Sequence, residues 1–277
     1  MKLNYFTSIF MAIMITVFST HSAKANLIPV TSIGDNLVGS LRLAVATANP
    51  GDTITFDPAI DGMVTFLTLG EITIDKALVI MGNGSLNTTI SGANLSHIFN
   101  IVKADSVTIL GLTLTAGATV ESGGAVLIDS TKVTIDNCVV SANNASGDAA
   151  TQGGGGVANV GGDLFIINNS SVSLNHATGT SGSGGGILNL GGGTITVVNS
   201  TISGNTANRA GGGIESIGAG TVVTLINATL EENFAGSAPG NGGAVHITGA
   251  GNITVEGGLV SGNTATAEGG GLWNGTG

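Results

Sequence analysis

The chain has 277 residues, a formal net charge of −10, 47 glycines and a single cysteine, and only 9% of its residues are charged. This acidic balance excludes a protein whose main partner is nucleic acid or an anionic membrane. One cysteine excludes an internal disulfide framework, and the abundant, periodic β-branched residues exclude a disordered chain.

The N-terminal segment has the pattern of a secretory signal peptide. Lys2 precedes an apolar run, residues 9–18, and Ala23-Lys24-Ala25 forms a cleavage site of the A-x-A type. The apolar run is too short to span a bilayer, and no later stretch has the pattern of a transmembrane helix. We therefore expect residues 1–25 to be removed and the protein to be exported to the cell surface or the medium.

The mature chain would comprise residues 26–277. Its front half begins with a lead-in over residues 26–39, followed by the one helix-like stretch, residues 40–49. There Ser40 can cap a helix, apolar residues recur at i, i+3, i+4 and i+7, and Pro50 ends the pattern. Such a helix would cover the open end of a solenoid. Strand candidates follow at Thr53–Phe56, Val64–Leu67, Glu71–Ile74, Ala77–Met81, Thr88–Ser91, Ile98–Ile101 and Val107–Thr115. The four prolines (Pro29, Pro50, Pro58 and Pro239) fall outside the predicted strand interiors.

The second half, residues 123–277, is a series of repeats. An apolar residue follows each glycine run at intervals of 27 to 31 residues, at Val126, Val157, Ile187, Ile214, Val245 and Leu272. A period in this range, repeated so often, indicates a repeat architecture.

Three apolar columns run through the five full repeats. They are Val133, Phe165, Ile195, Val223 and Ile253; Ile135, Ile167, Val197, Leu225 and Val255; and Val140, Val172, Ile202, Leu230 and Val260. The first two columns are two residues apart, which places their side chains on one face of a strand. Each repeat is therefore predicted to be a coil of three short strands. Eight or nine such coils would form an all-β, right-handed, single-stranded parallel β-helix, continuous over residues 26–277.

Two asparagine columns support this stack. One contains Asn143, Asn175, Asn205, Asn233 and Asn263; six residues earlier lie Asn137, Asn169, Asn199, Asn227 and, in the last copy, Gly257. Identical amides one strand spacing apart can hydrogen-bond as a ladder. The alternative is that asparagine is simply common in turns.

Two stretches resemble known exported proteins. Residues 39–60, GSLRLAVATANPGDTITFDPAI, resemble the N-terminal Cys-Ser-Leu-Arg-Glu-Ala motif of a family of exported β-helix proteins, with Gly39 in place of the cysteine and Leu43 in place of the glutamate. The repeats resemble those of polymorphic outer membrane proteins in their Gly-Gly-Ala-apolar phrase, at 123–126 and 242–245, and in an apolar-x-x-Asn phrase, at 202–205 and 230–233. The resemblance implies a pectin-lyase-like fold and a surface-displayed or secreted protein.

The last residues, GGGLWNGTG, begin a new coil without a cap or a sorting tail. We therefore expect the repeats to be truncated at the C-terminal end, with outer-membrane anchoring possible through a missing C-terminal part.

Polysaccharide lyases and hydrolases also use the pectin-lyase-like fold, and they need converging carboxylates. When the acidic residues are placed on the aligned repeats, they do not converge. Asp136 and Glu256 lie several coils apart, and the adjacent Glu231 and Glu232 face opposite ways. Histidines fall in unrelated positions and are expected to be solvated: His97, His176 and His246. Arg42 is interpreted as an exposed or cap-pairing charge, and Cys138 as a small buried side chain. The glycine runs lack a following lysine and are not phosphate cradles.

The sequence thus predicts no catalytic, cofactor-binding or metal-ligating residues. We expect a non-catalytic surface or secreted rod, an adhesin-like passenger or a structural element, with an unknown surface glycan or protein as its ligand. Its variable loops would carry the binding, at 145–152, 177–183 and 235–241. The alternative is a carbohydrate-active enzyme whose acids converge across coils or lie in a missing part.

Overall fold

The computed structural model describes residues 25–237 and 239–275. The expectation of an all-β solenoid is confirmed: successive coils stack so that each strand pairs in parallel with the equivalent strand of the next coil, giving four continuous sheets. The residues that follow the glycine runs, from Val126 to Leu272, occupy equivalent positions in one of these sheets, as their spacing predicted.

Two sheets carry the first half of each coil. Sheet 1 has nine strands: Leu27–Val30, Thr53–Phe56, Leu78–Met81, Ser106–Leu110, Lys132–Asp136, Asp163–Ile167, Thr194–Val198, Val222–Ile226 and Asn252–Glu256. Sheet 2 has eight: Val64–Phe66, Thr89–Ser91, Thr113–Thr115, Val139–Ser141, Ser171–Ser173, Thr201–Ser203, Thr229–Glu231 and Leu259–Ser261. The strand predicted over 107–115 is divided between them at Gly111, whose φ is +65°.

The prediction of three strands per coil is wrong for the repeats, which have a fourth. Sheet 3 consists of two-residue strands: Ala118–Thr119, Asn144–Ala145, His176–Ala177, Thr206–Ala207, Phe234–Ala235 and Thr264–Ala265. Sheet 4 contains Ile72–Ile74, Phe99–Val102, Val126–Asp129, Val157–Val160, Ile187–Leu190, Ile214–Ile217, Val245–Thr248 and Leu272–Gly275. Strands of two residues carry too little alternation to be visible in the sequence.

The interior is a stack of aliphatic side chains. One strand differs from the prediction in which of its residues face inward. In sheet 1, Val133 pairs with Leu164, and Ile135 pairs with Ile166. Leu164 and Ile166 are fully buried, so the predicted core residues Phe165 and Ile167 point outward in this coil. The next corner holds one additional residue: Asn168 and Asn169 both adopt positive φ, whereas the corners at Asn137, Asn199 and Asn227 each use a single asparagine. The sequence alignment placed this strand by its distance from Val172, without the additional residue. It was therefore wrong by one position, and a shift of one residue exchanges the buried and exposed faces of a strand.

The buried asparagine column forms the predicted ladder. Each side-chain Nδ2 donates to the Oδ1 of the asparagine one coil further on, over 2.9 or 3.0 Å, from Asn143 through Asn175, Asn205 and Asn233 to Asn263. The same Oδ1 atoms also accept a bond from the preceding asparagine's backbone N–H. A second short ladder, which the sequence did not predict, joins Asn159, Asn189 and Ser216.

The N-terminal end is closed as predicted by a helix, Leu41–Thr47, with Ser40 as its N-cap. Arg42 on this helix binds the Asp35 carboxylate through Nε, over 2.8 Å, and the backbone carbonyl of Glu71 through Nη1, over 2.7 Å, so the cap-pairing interpretation is confirmed. The lead-in contains a strand, Leu27–Val30, against expectation. Pro29 therefore does lie within a strand, but that strand is the edge of sheet 1, where a missing N–H is tolerated.

Candidate functional site

The exposed asparagine column is not a ladder. Asn137, Asn169, Asn199 and Asn227 have φ between +48° and +63°, at the corner between sheets 1 and 2. Asparagine adopts this left-handed conformation more readily than other residues with a side chain. The interpretation of asparagine as a turn residue is therefore right for this column, and the ladder prediction is wrong here.

These corners form a shallow groove on the surface of about 480 Å³, which we call the amide trough. Its lining is uncharged and consists of Asn169, Ser170, Ser171, Asn199, Ser200, Thr201, Asn227 and Thr229. Within the described residues, the side-chain amides of Asn169, Asn199 and Asn227 take part in no hydrogen bond. The trough therefore presents free amides, flanked by hydroxyls, in successive coils.

A second groove, of about 440 Å³, lies where the chain passes from sheet 3 to sheet 4, and we call it the carboxylate groove. It contains two acids and a histidine, Glu71, His97 and Glu121, and its other lining residues are Asn94, Leu95, Ser96, Ala118, Thr119, Val120, Asn144 and Ser146. No lysine or arginine lines this groove, so its potential is negative. Glu71 and Glu121 thus line one groove, which the sequence did not predict.

The ring of His97 is fixed by the backbone. Its Nδ1 lies 2.6 Å from the carbonyl oxygen of Gly123, and a carbonyl only accepts, so Nδ1 carries a proton. In neutral His97 the Nε2 atom then has a free lone pair, and it lies 3.8 Å from Glu71 Oε2. His97 is 7% exposed, which corrects the expectation of a solvated turn histidine.

Glu71 is oriented from its other side. Asn100 donates from Nδ2 to Glu71 Oε1 over 2.9 Å, which leaves Oε2 directed towards His97. Asn100 is itself held in a sheet 4 strand, where it pairs with Thr73 and Leu127. One carboxylate oxygen and one imidazole nitrogen are thus positioned by neighbours and remain free on their facing sides.

A buried ionic cluster lies on sheet 4 in the C-terminal half. Glu215 Oε2 is 2.7 Å from His246 Nδ1, while Glu215 Oε1 accepts from Thr248 Oγ1 over 2.9 Å and from Arg209 Nη1 over 3.3 Å. Glu215 is 0% exposed and His246 is 2% exposed, so His246 also departs from the expected solvated state. The sequence contains a signal for this cluster: both residues directly follow the apolar residue after a glycine run, and so does Trp273, which stacks on His246.

Segments that border or include the ends of the loops predicted to bind a ligand cover this face of sheet 4. Loops of successive coils pair with one another, at Gly153 with Ser183 and at Ala210 with Asn241. A Cβ on Gly211 would lie 2.7 Å from the Glu215 Cα, so glycine permits the loop to press directly on the sheet. Leu188 and Glu215, on the outer face of sheet 4, are buried as a result.

The remaining residues singled out in the sequence have structural surroundings. Cys138 is buried, and burial raises the pKa of its thiol to about 11, which agrees with the interpretation of a small, inert side chain. Asp136 and Glu256 lie in strands four coils apart in sheet 1, as predicted. His176 is exposed, as expected. In the described ranges there is no group of three or more histidine, cysteine or acidic side chains arranged to hold a metal.

No protein-family model, curated protein or solved structure matches this chain. Among the residues with described positions, no helix is long and apolar enough to cross a membrane. Function is therefore inferred from the two grooves and from the sequence pattern of the N-terminal segment.

Proposed function

We propose that this protein is an exported, non-catalytic β-helical rod that binds a hydroxyl-rich surface glycan along the amide trough. This proposal rests on one observation: the side-chain amides of the two asparagine columns differ in their hydrogen bonding. The inner column uses its amides in the ladder that holds the coils together, whereas the outer column leaves them free at the surface.

The chemistry of the trough suits a neutral polyhydroxyl ligand. A side-chain amide offers two donors and an acceptor, and each serine or threonine hydroxyl both donates and accepts. Asn199 with Thr201, and Asn227 with Thr229, repeat the same pair in neighbouring coils. A polymer that repeats along the rod axis could form the same contacts several times, and its affinity would rise through multivalency.

Export is the second part of the proposal, and it rests on residues 1–25. Residues 1–24 lie outside the described part of the chain, so the evidence for export is the charged, apolar and A-x-A pattern of the sequence. Fractionation of expressing cells, with N-terminal sequencing of the product, tests it. An exported product beginning at Asn26 is expected, and an uncleaved intracellular chain would contradict it.

Binding is tested by screening the purified protein against immobilised neutral polysaccharides and oligosaccharides. The double variant Asn199→Gly/Asn227→Gly removes two free amides and keeps the positive φ that glycine allows. We expect it to unfold at the temperature of the wild type and to lose at least tenfold in affinity for any glycan bound. Equal affinity in both proteins, or binding of none of the glycans, would overturn the proposal.

A carbohydrate-active enzyme is the second candidate, because Glu71 and Glu121 line the same groove. Paired carboxylates are what glycoside hydrolysis requires. Release of reducing ends or unsaturated sugars from a polysaccharide, lost in both Glu71→Gln and Glu121→Gln, would support this candidate. Release that persists in both variants, or no release from any substrate, would rule it out for this groove.

A further inference from the structure

We propose that His97 and Glu71 form a binding site for a divalent transition-metal ion, with Zn²⁺ as the best match. The site goes beyond glycan binding, because it lies in the carboxylate groove between sheets 3 and 4 and shares no residue with the amide trough. It is built from two residues, with water completing the coordination.

His97 is held in the state of a metal ligand. Its Nδ1–H donates to the Gly123 carbonyl, and this bond leaves the Nε2 lone pair free. Histidines that bind metals almost always donate their other ring N–H to a carbonyl or carboxylate in this way. The ring is more than nine-tenths buried, and its Nε2 has no hydrogen-bond partner among the described residues.

The Glu71 carboxylate is placed to share an ion with His97. Glu71 Oε2 lies 3.8 Å from His97 Nε2, and the other oxygen of this carboxylate is occupied by Asn100. An ion about 2.1 Å from each atom would sit between them at an angle of about 130°. Movement of the Glu71 side chain by a few tenths of an ångström would bring that angle close to the tetrahedral value.

The charge of the groove also favours a cation. Glu121 adds a second negative charge to the groove, and no basic residue lines it to compensate. An imidazole nitrogen beside a carboxylate favours Zn²⁺ over the hard cations Ca²⁺ and Mg²⁺, which prefer oxygen ligands throughout.

Titration calorimetry with zinc chloride at neutral pH tests the site on the whole protein. We expect one ion per chain and at least a tenfold loss of affinity in both His97→Gln and Glu71→Gln. His176→Gln removes the exposed histidine of a sheet 3 strand and should bind Zn²⁺ as the wild type does. Magnesium chloride should give no heat of binding at the same concentration.

Circular dichroism of each metal-free variant shows whether it is folded. If His97→Gln does not fold because it loses the hydrogen bond to Gly123, the Glu71→Gln variant still tests the site. The proposal is overturned if the folded Glu71→Gln variant binds Zn²⁺ as tightly as the wild type, if His176→Gln abolishes binding, or if the wild type binds no Zn²⁺. Each readout is metal binding, so failure of glycan binding or of hydrolysis does not affect the result.

Discussion

The carboxylate of Glu215 lies 2.7 Å from the imidazole of His246 in the next coil, and both side chains are buried. The pair occupies one column of the outer face of sheet 4. Arg209, which belongs to the loop covering that face, completes it from outside by binding Glu215 and the Ser183 hydroxyl. The cluster thus ties the loops that carry Ser183 and Arg209 to two neighbouring strands of sheet 4.

Removal of Glu215 should therefore be costly. The Glu215→Ala variant leaves a nearly buried arginine and a buried histidine without their shared acceptor, and we expect it to lose about 3–5 kcal/mol in the free energy of unfolding. Urea denaturation followed by circular dichroism measures the loss. Glu231→Ala, on the outward face of a sheet 2 strand, is the matched control and should change stability by less than about 0.5 kcal/mol. Equal losses in the two variants would show that the cluster is not a structural tie.

The asparagine ladder makes a second stability prediction. The Asn205 side chain donates to Asn233 and to the Val172 carbonyl, and its Oδ1 accepts from both nitrogens of Asn175. Asn205→Ala leaves several of these buried groups unpaired, and each unpaired group costs about 1–3 kcal/mol. We expect a lower midpoint of thermal unfolding by calorimetry.

The control for the ladder is Asn199→Gly in the exposed column, where glycine accepts the φ of +48°. It should leave the midpoint nearly unchanged, within the effect of about 0.5 kcal/mol that is usual for surface changes. If both variants lowered the midpoint equally, the distinction between an inner structural column and a free outer column would be wrong.

The single thiol gives a prediction about pH. Burial favours the neutral form of Cys138 and raises its pKa from 9.0 to about 11, so almost no thiolate exists in the folded protein at pH 8. Ellman's reagent should therefore react only after urea unfolds the chain. Rapid reaction of the native protein at pH 8 would contradict this burial.

The same shift affects stability in alkali. Because the folded pKa is raised, the contribution of Cys138 to stability is complete below pH 9 and is lost as the pH rises towards 11. Cys138→Ser should show a smaller loss of stability across this interval than the wild type in urea denaturation. An identical loss in the two proteins would contradict the assignment.

Much of the fold could be predicted because the same residue types recur at equivalent positions of successive coils. Glycine runs place an apolar residue at each sheet 4 strand, and the Asn143 column is spaced as a stacked amide must be. The N-terminal helix was also visible, since Ser40 and Pro50 mark its ends. Repetition supplied several observations of one structural rule, which a globular sequence does not offer.

The local geometry of the corners and the contacts between coils could not be predicted from the sequence. The additional corner residue at Asn168–Asn169 shifts one strand by a residue, and only the pairing of that strand with its neighbour shows the shift. Glu71 and His97 have no common position in the repeat, so their approach to 3.8 Å depends on the irregular front coils. The asparagine columns are alike in composition, and burial alone separates their roles.

Like residues stack over like along one interior, with Ile166 inside and Ile167 outside. The most direct measurement is the free energy of unfolding of Ile166→Ala and Ile167→Ala, determined side by side by urea denaturation. Ile166 is fully buried, and its truncation should cost about 2–5 kcal/mol, whereas truncation of Ile167 should cost less than about 1 kcal/mol. A larger loss for Ile167→Ala than for Ile166→Ala would contradict the stacking on which the trough and the groove both depend.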